Sequence, residues 1–542
     1  MRVSRRGLLG GTAAAGAALA IPSTATAAPV VGEKIRSSDA RYQDLVLRGQ
    51  NRRFVGQPDY ARVIRSTEDA VQAVQEAVRT GKRIAVRGGG HCFEDFVDNS
   101  DVEVLLDMSL YDEVTFDQRY RAFSIGAGAI LETVYPALFY GWGVTIPGGG
   151  CLGVGVGGHF SGGGYGPLSR LHGSVVDHLY GVEVVVVDAR GRARSVIATR
   201  DNEYRDLWWA HTGGGGGNFG VITRYLMRTA GATGSDPSRL LPKAPSALLS
   251  SITVYDWKTI GQAGFVRAIR NFFDFYERHN TADSPYASLY SPLIITPSSA
   301  GNVLLSTQLD ASVPNAKEKL AAFNAAMVEG LDPKPAVYDA GEGPFLHTTF
   351  ERSIAESPSP GRNKWKAGYL RKGYRDEQLV TIHKAMTDTS YSAPDLSVLF
   401  VPYGGKVNTV ASDATATAQR EVMCKMVATV GWSDPAEDAK HLAWIRKLYA
   451  DIYRDTGGVP VPNEINGGSY INYPDVDLAD PAYNKSGVPW HDLYYLGNYP
   501  RLQQIKAKWD PRNLFQHKLS IQPARLDLCR VRRKHIEQER TI

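Results

Sequence analysis

Apolar positions recur at helical spacing from Thr67 to Thr80 behind a Thr-Glu-Asp start, which predicts a helix. Arg83 to Arg87 reads as a short strand ending at Gly88-Gly89-Gly90. Strand-like runs recur at Val104 to Leu106 and Ala122 to Ile125, followed by a helix near Leu131 to Phe139. Such alternation indicates a mixed helix-and-sheet first part. A glycine-dense block runs from Gly141 to Gly166, Val182 to Val187 reads as a buried strand, and a second block, Gly213 to Gly217, precedes Asn218-Phe219-Gly220. Near residue 235 the pattern changes. Amphipathic helices are expected at Gln262 to Arg278, Ala316 to Val328 and Ala436 to Tyr453, with strands at Ser250 to Tyr255, Asn302 to Leu309 and Leu396 to Val401. Ser/Pro loops at 297–299 and 357–360 separate them. This predicts a second domain, a sheet covered on one side by helices, after which the tail from Tyr494 to Pro523 returns to the first. No internal repeat is visible.

Length and charge narrow the class. A chain of 542 residues is too long for one ordinary core and calls for two or three domains. Lys and Arg total 61 against 56 acidic residues, a net charge of +5, and Arg2, Arg5 and Arg6 carry three of the positives. The remainder is near neutral, which argues against nucleic acid or an anionic membrane as partner. With 43% hydrophobic and 22% charged residues the chain is globular. Ser4-Arg5-Arg6-Gly7-Leu8-Leu9, the apolar stretch to Ile21 and Ala25-Thr26-Ala27 read as an export signal over residues 1–28, of the twin-arginine type. That stretch is shorter than the ~20 residues a membrane span needs, and no other segment reaches that length.

The glycine loops carry the first chemical clue. Glycine lets backbone N–H groups crowd a ligand, so the loops around Gly88 and from Gly153 to Gly164 suit a pyrophosphate. Gly153 to Gly158 matches G-x-G-x-x-G, but without a clear strand before it or helix after it this is a weak dinucleotide fingerprint. No P-loop and no G-x-S-x-G is present. His91, Glu94 and Asp95 are metal-ligand types, yet His159, His172, His178 and His211 are scattered, and no metal is assigned. Four cysteines, Cys92, Cys151, Cys424 and Cys529, form neither a C-x-x-C pair nor a disulfide framework. Cys151 directly follows Pro147-Gly148-Gly149-Gly150, a setting for a sulfur meant to form a bond.

Three segments now align with a known family. Arg87-Gly88-Gly89-Gly90-His91, Pro147 to Cys151 with Gly157 to Gly166, and Asp206 to Ala210 with Gly213 to Gly220 resemble the berberine-bridge-enzyme-like flavin oxidases. Tyr470-Ile471-Asn472-Tyr473 and Asn498 to Pro511 resemble the C-terminal signature of the same family. Among its members the chain is most similar to hexose oxidases that tailor glycopeptide antibiotics of the teicoplanin and A40926 type. The resemblance implies an α+β fold of the vanillyl-alcohol-oxidase type. A two-part FAD-binding domain at 29–234 and 466–542 would flank a substrate domain at 235–465 with a helix-covered antiparallel sheet.

The resemblance also implies a covalent FAD, bonded through His91 to the flavin 8α-methyl and through Cys151 to C6. Arg87, Gly88, Gly89, Gly90, Gly157, Gly158, Ser161, Gly162, Gly220, Val221, Tyr470 and Asn472 would surround the cofactor. Tyr473 matches the family's base, and Tyr165 would orient the substrate hydroxyl or share its proton. Tyr403 is a weaker candidate, and Leu399 stands where some relatives carry an acid or amide. A free tyrosine titrates near ~10 and must be lowered to serve as base near neutrality. The implied reaction oxidises a sugar alcohol with O2 to give H2O2. Its substrate would be a small glycosylated molecule, with C6 of a hexose on a glycopeptide taken through aldehyde to acid. Two alternatives stand beside it: an oligosaccharide or secondary-alcohol oxidase of the same family, and a non-catalytic flavin- or carbohydrate-binding protein.

Overall fold

The computed structural model describes residues 32–356 and 360–524, so the expected export signal and Cys529 lie outside the described residues. Three short strands, β1 (Tyr60–Val63), β2 (Ile84–Arg87) and β3 (Val104–Asp107), form a parallel sheet in the order β1-β3-β2. The crossover between β1 and β2 is the helix Thr67–Thr80, as the pattern predicts. Its Ser66 cap accepts a hydrogen bond from the Asp69 amide, and Gly81 ends it in the left-handed region. Ala70, Ala73, Val74 and Ala77 are its buried face.

A second sheet contains β4 (Val114–Asp117), β5 (Ala122–Gly126), β6 (Leu179–Val187), β7 (Ala193–Thr199) and β8 (Val221–Met227). Its order is β4-β5-β8-β6-β7, antiparallel throughout. Val182 to Val187 are all buried, the ion-paired Glu183 included, which explains the absence of alternation in that run.

The third sheet comprises β9 (Ala247–Asp256), β10 (Leu293–Ile295), β11 (Asn302–Asp310), β12 (Ala336–Pro344), β13 (Arg362–Leu370), β14 (Asp395–Pro402) and β15 (Cys424–Trp432). These seven strands run antiparallel in the order β12-β9-β11-β10-β14-β15-β13. Helices Trp257–Arg278, Ala316–Met327, Asp376–Thr387 and Asp438–Ile452 cover one face. Tyr255 donates to the Met327 carbonyl and Tyr449 to the Ala367 carbonyl, which pins helices to strands. The side chains divide by strand alternation. Val398 and Phe400 join the core under the helices, whereas Leu399 and Val401 join a separate cluster with Tyr165, Tyr369 and Tyr470. The sheet thus has a helix-covered face and a face turned to the glycine loops.

The C-terminal segment packs on the first part of the chain. Lys506 donates to the Asn218 carbonyl at 2.6 Å, Tyr495 donates to the Gly214 carbonyl at 2.9 Å, and the Ile521 amide donates to the Asn218 side chain at 2.8 Å. Residues 466–468 also bond to the end of β13 through Tyr369 and Gly468. Among the described residues, no helix is long and apolar enough to cross a membrane.

Candidate active site

A cavity of about 640 Å³ lies between the glycine loops and the uncovered face of the seven-stranded sheet. Its floor begins where β2 ends at Arg87 and the chain turns through Gly88, Gly89 and Gly90. This loop abuts the one from Gly153 to Gly158 so closely that a Cβ on Gly89 would stand 2.4 Å from the Gly155 amide nitrogen. A Cβ on Gly155 would stand 2.2 Å from that of Gly89, so only glycine fits at either place. Above Gly150 and Gly158 the space is open to the cavity.

Two nucleophile-bearing side chains share that floor. The His91 imidazole lies against Gly153, and burial lowers its pKa to about 4, so the ring is neutral with a lone pair to give. Cys151 enters the same wall from the second loop. Cys92 also reaches the cavity, but burial pushes its thiol up to about 12, and Cys424 is buried within β15. His159, whose burial lowers it to about 3, accepts the Gly149 amide at Nε2 (3.0 Å) and so braces the loop carrying Cys151.

The roof is aromatic. Tyr165 and Tyr473 meet hydroxyl to hydroxyl at 2.9 Å. Tyr473 is held by the segment before it: Tyr470 donates to the Gly163 carbonyl, and the Asn472 amide donates to the His159 carbonyl and to the Tyr470 hydroxyl, each at 2.9 Å. Trp365 on β13 stacks on Phe93 at 4.4 Å, and Phe93 lies 5.9 Å from the Tyr473 ring. Burial pushes Tyr473 up to about 12 and Tyr165 well above the ordinary tyrosine value. Burial is what raises both hydroxyls, while the hydrogen bond from Tyr165 acts in the opposite sense on Tyr473.

One cationic side chain does face these rings. Lys425 on β15, 1% exposed and without a hydrogen-bond partner for its amine, stands 2.9 Å from the centre of the Tyr165 ring. It stands 4.0 Å from the ring centres of both Tyr403 and Tyr470. Burial drives its pKa well below the lysine range, while the ring faces favour its charged form.

A buried ionic cluster ties floor to roof. Lys364 pairs with Glu94 and, at 2.7 Å, with Asp475, and Lys366 pairs with Asp475 at 2.6 Å and Asp477 at 2.9 Å. Arg446 closes the set on Asp477 at 2.8 Å. Burial opposes ionisation of Asp477, but Lys366, Arg446 and Lys364 together hold it well below the usual carboxylate value. Glu94 lies three residues beyond His91 and Asp475 two beyond Tyr473, so the cluster fixes both loops against β13.

The fold gathers most of the expected residues around one cavity: Arg87, Gly88, Gly89, Gly90, His91, Cys151, Gly157, Gly158, Tyr165, Gly220, Tyr470, Asn472 and Tyr473. Three expected cofactor neighbours lie outside it. Ser161 turns its hydroxyl back to the Gly157 and Gly158 carbonyls, Gly162 leaves room for the Asn472 carboxamide, and Val221 points into the protein core. Tyr403 sits behind Tyr165, edge-on at 5.4 Å. Leu399 lines the roof, as a leucine must, without a polar group. Sequence reasoning missed Lys425, Trp365 and the Lys364 cluster; the available signal was lysine alternating with apolar residues in 362–370 and 424–432.

The donor set fits a flavin dinucleotide. Arg87, 1% exposed, makes no hydrogen bond through its guanidinium but is ion-paired with Asp98 and Asp107, each at 3.5 Å. The fit lies in the floor, where side-chain-free backbone at Gly150 and Gly158 leaves open space for a phosphate-bearing ligand to meet N–H groups. Among the described residues, no three His, Cys, Asp or Glu side chains converge to hold a metal.

Comparison with known proteins agrees with this geometry. The family described as "FAD binding domain" matches residues 58–196, and "Berberine and berberine like" matches residues 469–522. Aclacinomycin-N/aclacinomycin-A oxidase of Streptomyces galilaeus is 47% identical over 96% of this chain and 98% of its own. Hexose oxidase of Chondrus crispus is 32% identical over 87% of this chain and 92% of its own. The solved structure of a glycopeptide hexose oxidase complexed with teicoplanin is 51% identical, with a TM-score of 0.85 over 91% of this chain and 99% of that one. Fold and site together define an FAD-dependent oxidase acting on alcohol groups. The chain belongs to the berberine-bridge-enzyme-like family of FAD-linked oxidases, with the vanillyl-alcohol-oxidase type of fold.

Proposed function

We propose that this chain oxidises a sugar alcohol, at C6 of a hexose carried on a glycosylated natural product such as a glycopeptide, from aldehyde on to the acid. We propose further that its FAD is bonded at both His91 and Cys151, and that residues 1–28 direct its export. The observation that carries the reading is the pair of tyrosine hydroxyls at 2.9 Å, set in the same cavity as a neutral histidine and a cysteine. The resemblance to hexose and glycopeptide hexose oxidases supports the choice of a sugar.

FAD, when bound, supplies the hydride acceptor and, reoxidised by dioxygen, the route to hydrogen peroxide. The residues supply proton movement and placement. Tyr473, ionised to its phenolate, would take the proton of the substrate alcohol, and the Tyr165 hydroxyl 2.9 Å away would donate to that phenolate and hold its charge. Lys425, over the Tyr165 ring, would offset negative charge gathering there in its protonated form, which the ring faces favour and burial opposes. Asn472 and the Tyr470 hydroxyl hold the loop so that the pair keeps its geometry. Leu399, Val401 and Val427 keep water from the pair.

The test is peroxide release from a panel of free hexoses, oligosaccharides and hexosylated glycopeptides, with products read by mass. Four-electron oxidation of the glycopeptide hexose to the acid, with two H2O2 released per hexose, supports the proposal. Peroxide from cello-oligosaccharides alone favours the oligosaccharide reading, and colour without any sugar-dependent bleaching favours a non-catalytic binder.

A further inference from the structure

A second cavity, of about 420 Å³, lies across β13 from the first. Strand alternation sends Trp365 into the flavin cavity and the next residue, Lys366, into this one, so a single strand is the wall between them. Its volume is within the range of small-molecule sites, roughly 300–1,000 Å³. The other walls are the helix Asp438–Ile452 and two loops. Gly457 and Gly458 turn in the left-handed region and let the second loop close on the first, since a Cβ on Gly457 would stand 2.5 Å from the Ser486 amide nitrogen. The Lys485 amide donates to the Gly457 carbonyl at 2.9 Å, and the Asn484 carboxamide donates to the Leu478 and Val488 carbonyls, each at 2.9 Å. Both lips of the cavity are thus held by hydrogen bonds.

Four cations line this space, Lys366, Arg446, Arg454 and Lys485, against two acids, Asp451 and Asp477. Lys366, its side chain 2% exposed, gives two of its three ammonium protons to Asp475 at 2.6 Å and Asp477 at 2.9 Å. No third acceptor is present among the described residues, and the Tyr449 ring centre lies 4.8 Å from the nitrogen. Arg446 pairs with Asp477 and lies over the Tyr483 ring at 4.1 Å. At the rim, Arg454 meets only Asp451, at 3.3 Å, and shares it with Lys447, while Lys485 has no carboxylate partner among the described residues. Between the cations the lining is apolar, with Ala450, Val459, Leu478 and Ala482. Excess positive charge over hydrocarbon walls suits an anion with an apolar body rather than a hydrated inorganic ion.

We propose that this cavity is a second ligand site, for a small organic carboxylate, and that its occupation slows proton removal at Tyr473. The carboxylate accepts the remaining Lys366 proton and pairs with Arg454 and Lys485, its body against Val459 and Leu478. Lys366 then gives up part of its hold on Asp475, which stands two residues beyond Tyr473 and fixes that loop. The effect falls on the rate of flavin reduction and not on sugar binding, because the ligand and the sugar lie on opposite sides of β13. The coupling rests on the role proposed above for Tyr473; the site itself does not.

The experiment uses the full flavin-loaded protein with 2-naphthoate, and 2-naphthalenemethanol as its neutral counterpart, at constant ionic strength so that screening is the same throughout. Equilibrium dialysis is expected to show a single 2-naphthoate bound per chain and far weaker binding of the alcohol. Arg454→Glu combined with Lys485→Glu, both at exposed positions, should weaken 2-naphthoate about tenfold or more while the melting temperature stays that of wild type. In stopped flow, 2-naphthoate should slow flavin reduction by saturating sugar about fivefold, and the rim variant should escape at the same concentration. No binding, binding equal in the rim variant, or equal binding of the alcohol would overturn the site. Slowing that excess sugar relieves would place the ligand in the flavin cavity and overturn it too. Rim-dependent binding that leaves reduction unchanged would overturn the coupling to Tyr473. If no sugar reduces the flavin, rim-dependent binding in dialysis still upholds the site while the sugar reading falls.

Discussion

The floor and the roof of the cavity are built by opposite means. The floor is backbone: Gly89 and Gly155 touch at distances that exclude any side chain, and Arg87, His91 and Cys151 are among the few side chains beside it. The roof is side chain: strand alternation sorts Leu399 and Val401 toward the cavity and Val398 and Phe400 toward the helices. A floor made of backbone tolerates almost no substitution, so it fixes the cofactor. A roof made of alternating side chains can change its lining one residue at a time, so it can set the substrate without disturbing the floor. The paired tyrosines belong to both, since Tyr165 and Tyr473 follow floor segments but pack on Lys425 and Trp365 of the roof.

If that division is right, the largest effect comes from the junction. Tyr473→Phe should keep bound flavin and its visible absorbance while slowing flavin reduction by sugar ~10²–10⁴-fold in stopped flow. Near-normal reduction would move the base elsewhere. Next comes the clamp between the two halves. Lys364→Met leaves Glu94 buried with only the Val476 amide at 3.4 Å and takes one partner from Asp475. Removing one member of a buried pair costs about 3–5 kcal/mol, to be read in the melting temperature, with Lys364→Arg expected to recover part of it.

The smallest effect separates floor from roof by pH. His91, His159, His172, His211 and His517 are all pushed to about 4 or lower by burial, and all belong to the flavin side of the molecule. A histidine whose folded pKa is depressed contributes its full stability above the unfolded value of about 6.5 and loses it as pH falls toward the folded one. For His211, 2% exposed and near 4 when folded, the loss at pH 5 is roughly 2 kcal/mol. Limited proteolysis at pH 5 should therefore cut the flavin side before the seven-stranded sheet, and His211→Gln should delay it. Cleavage of the sheet first would contradict the division.

The same division explains what the sequence disclosed. Floor residues were legible through the glycine runs and through the family resemblance that singles out His91 and Cys151, even with 59 positions between the two. The helix Thr67–Thr80 and the strands at 302–310 and 395–402 follow from plain periodicity. The helix expected from Gln262 begins instead at Trp257, across a kink at Gly261 that breaks the pattern. The strands Arg362–Leu370 and Cys424–Trp432 were not legible, because Lys364, Lys366 and Lys425 stand in them where a buried strand calls for apolar residues. Each lysine is explained only by partners distant in the chain: Glu94 and Asp475 for Lys364, and the rings of Tyr165 and Tyr470 for Lys425. Ser161, Gly162 and Val221 show the converse, since belonging to a motif placed them near the cofactor while their contacts support the loops.

The central claim is that one flavin joins both loops of the floor. Intact mass and peptide mapping of the purified, denatured protein test it directly. The expected result is a chain heavier by one FAD, with the peptides bearing His91 and Cys151 crosslinked through it. A chain of unmodified mass, with all flavin released on denaturation, would contradict the claim.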